Sequence, residues 1–447
     1  MRWLEELRGK QLLRHALVQN ALSLYGVQIA NYLVPLITIP YLARVLGTTG
    51  WGLVAFTQGF GAYVAILGEY GFMFSATREA ARSRDDREKL ASILSGVLGA
   101  KTLLAVASLP VAVGVQWLVP EFREHPGLFW SGMFWALGRG FSLTWFFQGL
   151  ERMRLVAGLE IAGQALSTVA IFVFVHKADD AWRVLTLQGT GYLLSIAASG
   201  WLAYHVVAFR LPNWSLAWES LRMGWTMFLF RGSLSLYVAG NAFILGLFTS
   251  PQTVAYYAGA ERISRAFLSL LTPISQALFP RVSYLVQEAR ERAARLARTS
   301  LVVMGIGGAV IGGVVFVLAP SLVRILLGSQ YGPAVPVLRI LALLPPLIAL
   351  SNVLGIQWML PLRLDRAFNT IIVTSGVINL SLATAFAPRY AAHGMAWAVV
   401  CAETFVTIAM YVVLRRWKLG PVGQWPKAEG EAVRYENVGS SWRQPTD

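Results

Sequence analysis

The apolar segment 251–280 carries a group of polar side chains that share one face of a predicted helix. At about 100° per residue they fall within a sector of about 100°, and apolar residues fill the opposite side. The guanidinium group presents a planar fork of donors that suits phosphate oxygens, so this face is a candidate anion site. The members of this polar stripe are Glu261, Arg262, Arg265, Ser269, Thr272 and Gln276.

The stripe has a structural and a functional interpretation. A charge at the centre of a membrane-spanning helix costs on the order of 2.5–3.5 kcal/mol, so the stripe must face water, protein or ligand. Glu261 and Arg265 stand at i and i+4, where an ion pair offsets part of that cost. An ion pair leaves Arg262 unexplained. We therefore predict that Arg262 and Arg265 line a cavity and that one of them contacts an anion.

Other ionisable residues inside apolar segments are weaker candidates. Lys101, Arg139 and Arg231 could line the same cationic cavity and meet the anion. Lys101 and Arg231 could instead extend to the membrane surface, and Arg139 could pair with Glu160. Each carboxylate in such a segment could carry a coupling ion, H⁺ or Na⁺, or could be the structural partner of an arginine. These carboxylates are Glu69, Glu160, Glu261 and Glu403.

Motifs for cofactors and covalent chemistry are missing from the sequence. It has no P-loop, no Ser/His/Asp arrangement and no zinc-ligand spacing, and its five histidines are scattered. Cys401 is the only cysteine, so an internal disulfide cannot form. We predict no catalytic residue, no metal and no cofactor.

The composition is that of an all-α integral membrane protein. Hydrophobic residues make up 56% of the 447 residues and charged residues 14%, against roughly 25% charged in soluble domains. The mean hydropathy is +0.55. Segments without charge at 184–209, 299–323 and 340–362 are each long enough for the ~20 residues of a spanning helix.

We predict twelve transmembrane helices in two lobes of six. With the N-terminus in the cytoplasm, the inner connections and termini hold 26 of the 38 Lys and Arg residues, as the positive-inside rule requires. Both termini are thus predicted to be cytoplasmic. The predicted spans are 15–45, 51–73, 91–119, 126–149, 155–176, 183–209, 223–249, 251–280, 299–327, 333–359, 365–387 and 393–415.

The two lobes are predicted to be a parallel repeat. An offset of 203 residues aligns Arg78 with Arg281 and Arg87 with Arg290, and six helices per lobe give both halves the same orientation. The predicted divisions are an amphipathic cytoplasmic N-terminus (1–14), a first lobe (15–210), a cytoplasmic linker (211–222), a second lobe (223–415) and a flexible cytoplasmic tail (416–447).

The net charge of +15 does not indicate nucleic acid. The charged segment 78–90 mixes both signs directly after a predicted span, which favours an interfacial helix that contacts lipid headgroups. Outer connections such as 47–50 and 328–332 are too short to hold a catalytic domain. This argues against a membrane-bound polysaccharide polymerase or ligase.

Five stretches carry a family resemblance: NYLVPLITIPYLARVLG (31–47), GEYGFMFSATREAARSRDDREKL (68–90), FFQGLERM (146–153), YYAGAERISRAFLSLLTPISQALFPRVSYL (256–285) and LLGSQYGPAVPVLRIL (326–341). Together they resemble the Wzx-type polysaccharide flippases of the multidrug/oligosaccharidyl-lipid/polysaccharide (MOP) exporter superfamily. The resemblance extends from about residue 15 to about residue 415. The resemblance implies functional positions only where the motifs themselves contain them, chiefly Arg44, Arg78, Glu261, Arg265 and Arg281.

The resemblance implies a MATE-like fold of two lobes around a central cavity. It implies transport of a polyprenyl (undecaprenyl) diphosphate-linked oligosaccharide to the outer leaflet of a bacterial or archaeal cytoplasmic (inner) membrane, for O-antigen or exopolysaccharide synthesis. Cavity cations would hold the diphosphate, and Arg78 and Arg281 would form a cytoplasmic gate or contact headgroups. The implied partners are the bilayer, the lipid-linked substrate and the polysaccharide polymerase machinery.

Two other transport functions of the superfamily stay open. A drug/cation antiporter would favour acidic cavity residues, whereas cations outnumber acids within the predicted spans here. A lipid II flippase usually has more than twelve helices. We therefore favour an anionic, lipid-linked oligosaccharide as the substrate.

Overall fold

The computed structural model describes residues 37–421, and every regular element in this range is helical. Short 3₁₀ turns lie at Ala178–Asp180, Ser269–Leu271 and Ser329–Tyr331, and a π-helical segment covers Val353–Met359. The helices are α1 (37–45), α2 (Gly47–Glu69), α3 (Phe72–Arg82), α4 (Arg87–Leu118), α5 (Pro120–Glu124), α6 (Pro126–Gly140), α7 (Thr144–Gly149), α8 (Met153–Phe174), α9 (Ala181–Val206), α10 (Trp214–Ala239), α11 (Asn241–Gly246), α12 (Pro251–Leu268), α13 (Thr272–Glu288), α14 (Arg290–Leu326), α15 (Ala334–Leu341), α16 (Leu344–Asn352) and α17 (Asp365–Arg416).

Six helical segments of the described chain are long and apolar enough to cross a membrane, so the chain is a multi-pass membrane protein. The last of them, α17, has 52 residues, more than one crossing needs. Non-helical backbone at Ala391 divides α17 between the two spans predicted at 365–387 and 393–415. These segments agree with the predicted spans. The total of twelve stays a prediction, and most of the first span lies outside the described residues.

Several predicted spans are broken helices rather than continuous ones, and two of the breaks lie close to candidate site residues. The span at 126–149 divides into α6 and α7 around Ser142, and the span at 251–280 divides into α12 and α13 around 269–271. Pro273 lies in the first turn of α13, where its missing amide hydrogen is tolerated. The break after α6 leaves backbone carbonyl groups inside the first lobe, where a side chain binds them.

The order of elements repeats along the chain. A helix, a break, a second helix and a long helix occur as α2, α3 and α4 and again as α12, α13 and α14, although α13 has 17 residues and α3 has 11. The second long helix begins at Arg87 in one unit and at Arg290 in the other, which is the offset found in the sequence. The first helices of the two series, α2 and α12, pack against each other, and the parallel repeat of the lobes stays a prediction.

The buried side chains show where the lobes meet. We call the end with connections 47–50 and 328–332 the short-loop end, and the end with 75–90 and 281–298 the basic end. Toward the short-loop end one continuous apolar cluster includes residues of both lobes, among them Phe60 and Tyr257. Toward the basic end each lobe has its own cluster, around Phe146 and around Trp358. The lobes thus touch at the short-loop end and separate toward the basic end.

The first half of α10, which covers most of the predicted linker and the start of the predicted second lobe, packs against the first lobe. Ser95 donates a hydrogen bond to the Leu211 carbonyl oxygen at 2.8 Å, and Gly96 of α4 leaves room for the backbone of Leu216. The ring of Phe228 stacks on that of Tyr70 at 4.5 Å. Beyond Gly240 the chain packs against α17 of the second lobe. Hence α10 connects the lobes along its length.

The segment after α17 is docked onto the second lobe as far as it is described. The Trp358 indole Nε1 donates to the Leu419 carbonyl oxygen at 2.7 Å, and Arg298 Nε donates to that of Pro421. The start of the predicted flexible tail is therefore fixed to α14 and the π-helical segment. Residues 422–447 lie outside the described chain.

Candidate anion site between the two lobes

Arg262 lies on α12 where this helix packs against α2 of the other lobe. Its guanidinium carbon is 4.3 Å from the centroid of the Trp51 ring, within the range of a cation–π interaction. Its Nη2 donates a hydrogen bond to Oε1 of Gln58. Trp51 and Gln58 stand two turns apart on α2 and so share one face of it. The two side chains hold the Arg262 guanidinium at the lobe interface.

Gln58 extends this contact into the first lobe. Its Nε2 donates to Oε1 of Gln188 on α9 at 2.9 Å. The Gln58 amide therefore accepts a hydrogen bond with its oxygen and donates one with its nitrogen, and this fixes the orientation of the group. Arg262, Gln58 and Gln188 form a chain of side chains from α12 through α2 to α9.

Glu261 and Arg265 form the ion pair predicted from their i, i+4 spacing. Arg265 Nη2 lies 2.8 Å from Glu261 Oε1, and the two side chains are 45% and 19% exposed, respectively. The Tyr257 hydroxyl donates to the same carboxylate oxygen at 3.4 Å. Glu261 is thus occupied by Arg265, whose side chain remains partly exposed.

Arg262 has no comparable acidic partner. Among the ion pairs of residues 37–421, none at 4.0 Å or less includes this guanidinium. A guanidinium carries more N–H donors than one amide oxygen can satisfy. A half-buried cation with a neutral partner and a ring on one face is an arrangement suited to an anion with several oxygens.

The rest of the stripe continues from this point toward the basic end. Ser269 donates to the Ala266 carbonyl oxygen at 2.6 Å and belongs to the break between α12 and α13. Thr272 is half-buried and Gln276 is exposed. The stripe therefore lies along a helix that bends where the two lobes begin to separate.

Lys101 is buried inside the first lobe instead of bordering open space. It is 2% exposed, and its Nζ donates to the carbonyl oxygens of Gly140, at 2.6 Å, and Ser142, at 3.1 Å. These carbonyls end α6 at the break before α7, where the partial negative charge of a helix C-terminus favours a cation. Glu69 adds electrostatic attraction. Lys101 stabilises the helix break in this structure, and it does not extend to the membrane surface.

Glu160 and Arg139 do not pair with each other. The Glu160 carboxylate accepts hydrogen bonds from Ser142, at 2.9 Å, and from Thr144, both at the break between α6 and α7. The exposed Arg139 places its guanidinium carbon 5.9 Å from the Trp135 ring centroid. In the described chain the ion pairs within 4.0 Å do not include these two residues. The pairing that their positions in the sequence allowed is therefore not formed.

Three other predicted site residues are not among the contacts of Arg262 in residues 37–421. Glu403 of α17 is 8% exposed and accepts a hydrogen bond from Ser351 at 2.8 Å. Arg78 of α3 and Arg281 of α13 are exposed and occupy equivalent places in the repeat near the basic end. Arg231 belongs to α10, but its side chain is outside the part of the chain that the structure describes. The predicted roles of these four residues stay predictions.

Polar contacts between the lobes are concentrated at the short-loop end. Gln252 Nε2 donates to the Thr49 hydroxyl at 2.8 Å. The Tyr331 hydroxyl donates to the Gly47 carbonyl oxygen at 3.1 Å, and Arg44 Nη2 donates to that of Ile325 at 2.5 Å. These contacts close the short-loop end of the interface beyond Arg262.

The sequence-based reasoning missed Trp51, Gln58 and Gln188. Gln58 occupies the position equivalent to Glu261 at the repeat offset, and it is a polar residue in an otherwise apolar part of α2. Both features of Gln58 are visible in the sequence, but the predicted stripe covers 261–276 alone and includes no residue of α2. The repeat would have directed attention to the face of α2 that opposes the stripe.

The fold is that of the MOP transporter superfamily. An inward-facing multidrug resistance MATE transporter of this superfamily matches with a TM-score of 0.62 at 15% identity, covering 86% of this chain and 98% of that one. The lipid II flippase MurJ in an inward closed conformation matches with a TM-score of 0.67 at 11% identity, covering 89% and 87%. These likenesses confirm the predicted all-helical, MATE-like architecture.

The chain belongs to the polysaccharide biosynthesis protein family, whose model matches residues 17–286. A protein of Escherichia coli (strain K12) that bears the name O-antigen transporter is 32% identical over 411 residues, which cover 90% of this chain and 98% of that protein. The family predicted from the five sequence stretches is thereby confirmed.

Proposed function

We propose that this chain is a flippase that carries a polyprenyl-diphosphate-linked oligosaccharide from the cytoplasmic to the outer leaflet of the cytoplasmic membrane. The observation that carries the proposal is the Arg262 guanidinium. It lies where two repeat-related lobes meet, beside the space between them, and has a neutral amide as its hydrogen-bond acceptor. The name of the E. coli relative supports the choice of a polysaccharide precursor as the substrate.

The geometry suggests how such a substrate would move. The basic end is the cytoplasmic end by the positive-inside rule, so the gap between the lobes opens to the cytoplasmic leaflet. Exposed Arg78 and Arg281 would attract the diphosphate at the entrance, and Arg265 and Arg262 would bind it deeper along the stripe. Rocking of the two repeats about this site would then open the short-loop end to the opposite leaflet.

The charge of the site favours this substrate over a cationic drug. Glu261, the carboxylate beside Arg262, is already paired with Arg265. The local sum is one positive charge in excess, which would repel a cation and attract a phosphate. Two carboxyl groups with hydroxyl partners, the half-buried Glu160 and the buried Glu403, would be the sites to examine for a coupling ion.

The test is rescue of surface polysaccharide in a strain that lacks its own O-antigen flippase. We expect the wild-type chain to restore surface polysaccharide and to remove the lipid-linked intermediate that accumulates, as identified by mass spectrometry. Arg262→Ala should reduce export at least about tenfold, since a hydrogen bond to a charged group contributes roughly 1.5–3 kcal/mol. Arg154→Ala, at an exposed position of α8 that is not among the predicted cavity residues, is the matched control and should export normally. Normal export by a correctly inserted Arg262→Ala variant would refute the role of Arg262.

A further inference from the structure

We propose that Gln58 is a positioning residue that couples anion binding at Arg262 to release of the short-loop end. The proposal rests on the proposed function, because the anion is taken to be the diphosphate of the substrate. Gln58 holds Arg262 only while α2 and α12 are together. A diphosphate bound to Arg262 would replace Gln58 as its acceptor.

The Gln58 amide and a diphosphate differ in strength as hydrogen-bond acceptors for Arg262. The Gln58 amide oxygen is neutral, whereas a diphosphate oxygen is charged, and charge-assisted hydrogen bonds are roughly twice as strong as neutral ones. In the described chain, Arg262 forms no ion pair within 4.0 Å with a carboxylate that would compete with the anion. An anion that enters from the gap therefore competes successfully for the guanidinium.

The hydrogen bond between Arg262 and Gln58 helps to hold the two lobes together. Gln58 and Arg262 belong to different lobes, and their contact lies on the same α2–α12 interface as the Thr49–Gln252 hydrogen bond of 2.8 Å. Breaking the inner contact leaves the lobes joined by the contacts nearer the short-loop end. The closed arrangement of this end then loses part of its stabilisation.

The coupling makes anion binding favour the open arrangement of the short-loop end, as a transporter requires. When the short-loop end is closed, an anion must displace Gln58 before it can bind Arg262 fully. When this end is open, Gln58 has already separated, and the same anion binds without that penalty. The anion thus has a higher affinity for the open arrangement and shifts the population toward it. After release, Gln58 recovers Arg262 and the empty protein returns to the closed arrangement.

Gln188 keeps the Gln58 amide oriented for this role. Its Oε1 accepts from Gln58 Nε2 at 2.9 Å, so the Gln58 oxygen points at Arg262 and not the nitrogen. A nitrogen in that place would face the guanidinium with a second set of donors. The chain of side chains therefore explains why an amide, and not any polar residue, serves at position 58.

The experiment measures disulfide formation between cysteines placed at Thr49 and Gln252, in a full-length Cys401→Ser background reconstituted in lipid nanodiscs. The rate of cross-linking reports closure of the short-loop end without reference to any sugar. Three chains are compared: Gln58 unchanged, Gln58→Glu, which offers Arg262 a carboxylate, and Gln58→Leu, which offers no acceptor. Inorganic pyrophosphate and undecaprenyl diphosphate are the two probes.

We expect either probe to lower the cross-linking rate about tenfold in the chain with Gln58, which corresponds to loss of one hydrogen bond to a charged group. Gln58→Glu should cross-link rapidly with and without the probes. Gln58→Leu should cross-link slowly without them. Gln330→Leu is the matched control, because Gln330 also bridges the lobes, through the Ala43 carbonyl oxygen at 3.1 Å, but does not contact Arg262. It should keep the response to both probes.

Equal cross-linking by all three chains, with no response to either probe, would overturn the coupling. Gln58→Met, which also lacks a charged or amide acceptor, repeats the test if Gln58→Leu gives no folded protein. A response to the probes in a chain that fails to rescue polysaccharide export would leave the coupling standing and refute the proposed function. Normal rescue of polysaccharide export with no response to either probe would leave the proposed function standing and refute the coupling.

Discussion

The Arg262 guanidinium carbon lies 4.3 Å from the Trp51 ring centroid, and the two residues belong to different lobes. Trp51 is fully buried, so the interaction is shielded from water, where a cation–π contact is worth about 2 kcal/mol or more. An aromatic ring on one face leaves the edge of the guanidinium, with its N–H donors, directed elsewhere. Trp51 therefore positions Arg262 without using the donors that an anion needs.

We expect Trp51→Leu to weaken closure of the short-loop end and to reduce polysaccharide export about tenfold, because the ring under Arg262 is lost. Trp51→Phe is the matched control, since it also shortens the side chain but keeps a ring, and it should export several-fold better than Trp51→Leu. Cross-linking between cysteines at Thr49 and Gln252 measures closure, and surface polysaccharide measures export. Equal defects in the two variants would show that Trp51 acts through its volume alone.

Lys101 leads to a prediction about stability. Lys101→Met keeps the length of the side chain but leaves the carbonyl oxygens of Gly140 and Ser142 without their buried donor. We expect the variant to lose about 2–5 kcal/mol of stability, measured as thermal unfolding in detergent. Arg139→Met, which removes an exposed charge, should stay within about 0.5 kcal/mol of the parent. Similar midpoints for both variants would contradict a structural role for Lys101.

Much of the architecture could be predicted from the sequence because hydrophobic segments and charged connections are local signals. The same holds for the ion pair of Glu261 with Arg265, whose partners are one helical turn apart. The partners of Arg262 could not be predicted in this way. Trp51 and Gln58 are about two hundred residues away in the chain, and only the packing of α2 on α12 brings them together.

Lys101 shows a second limit of reading the sequence. Its acceptors are backbone carbonyls that are available to a side chain only because α6 ends at Gly140. The sequence 126–149 contains no proline at that place that would indicate the break. An apolar segment with a glycine there is equally compatible with a continuous helix. The break, and with it the buried site for a lysine, follows from tertiary packing that no local pattern reports.

Asp180 provides a prediction about pH at the short-loop end. Its carboxylate accepts backbone hydrogen bonds from His176, at 3.0 Å, and Lys177, at 3.2 Å, and pairs with Arg183 at 3.0 Å. The His176 bond, with these others, lowers the pKa of Asp180 below its ordinary value of 3.8. Because the folded protein favours the ionised form, the stabilisation is complete above the unfolded pKa and is lost as the pH falls through the lower, folded pKa.

We expect the unfolding temperature of the parent to decline below about pH 4 in part through this group. Asp180→Asn should unfold at a lower temperature near pH 7, by a loss of about 1–3 kcal/mol, and should show a smaller decline in acid. Asp179→Asn is the matched control, because Asp179 is the exposed neighbour in the same turn. If the two variants have identical pH profiles, the hydrogen bonds of Asp180 do not contribute to stability.

Gly52 gives the most direct structural test of the closed short-loop end. A Cβ atom at this position would lie 1.8 Å from the Pro251 carbonyl oxygen of the other lobe, so α2 and α12 approach as closely as only glycine allows. We expect Gly52→Val to force the lobes apart at this end and to reduce cross-linking between cysteines at Thr49 and Gln252 at least about tenfold, since overpacking costs roughly 1–3 kcal/mol.

Gly114→Val in α4 is the matched control for this substitution. A Cβ atom there meets nothing within 4 Å, so the same change of residue type in a long helix should leave cross-linking unaltered. The pair separates the effect of interface crowding from that of helix propensity, which both substitutions share. If Gly52→Val cross-links as fast as the parent, the lobes have room between them at this point, and α2 and α12 are not in contact in the resting protein.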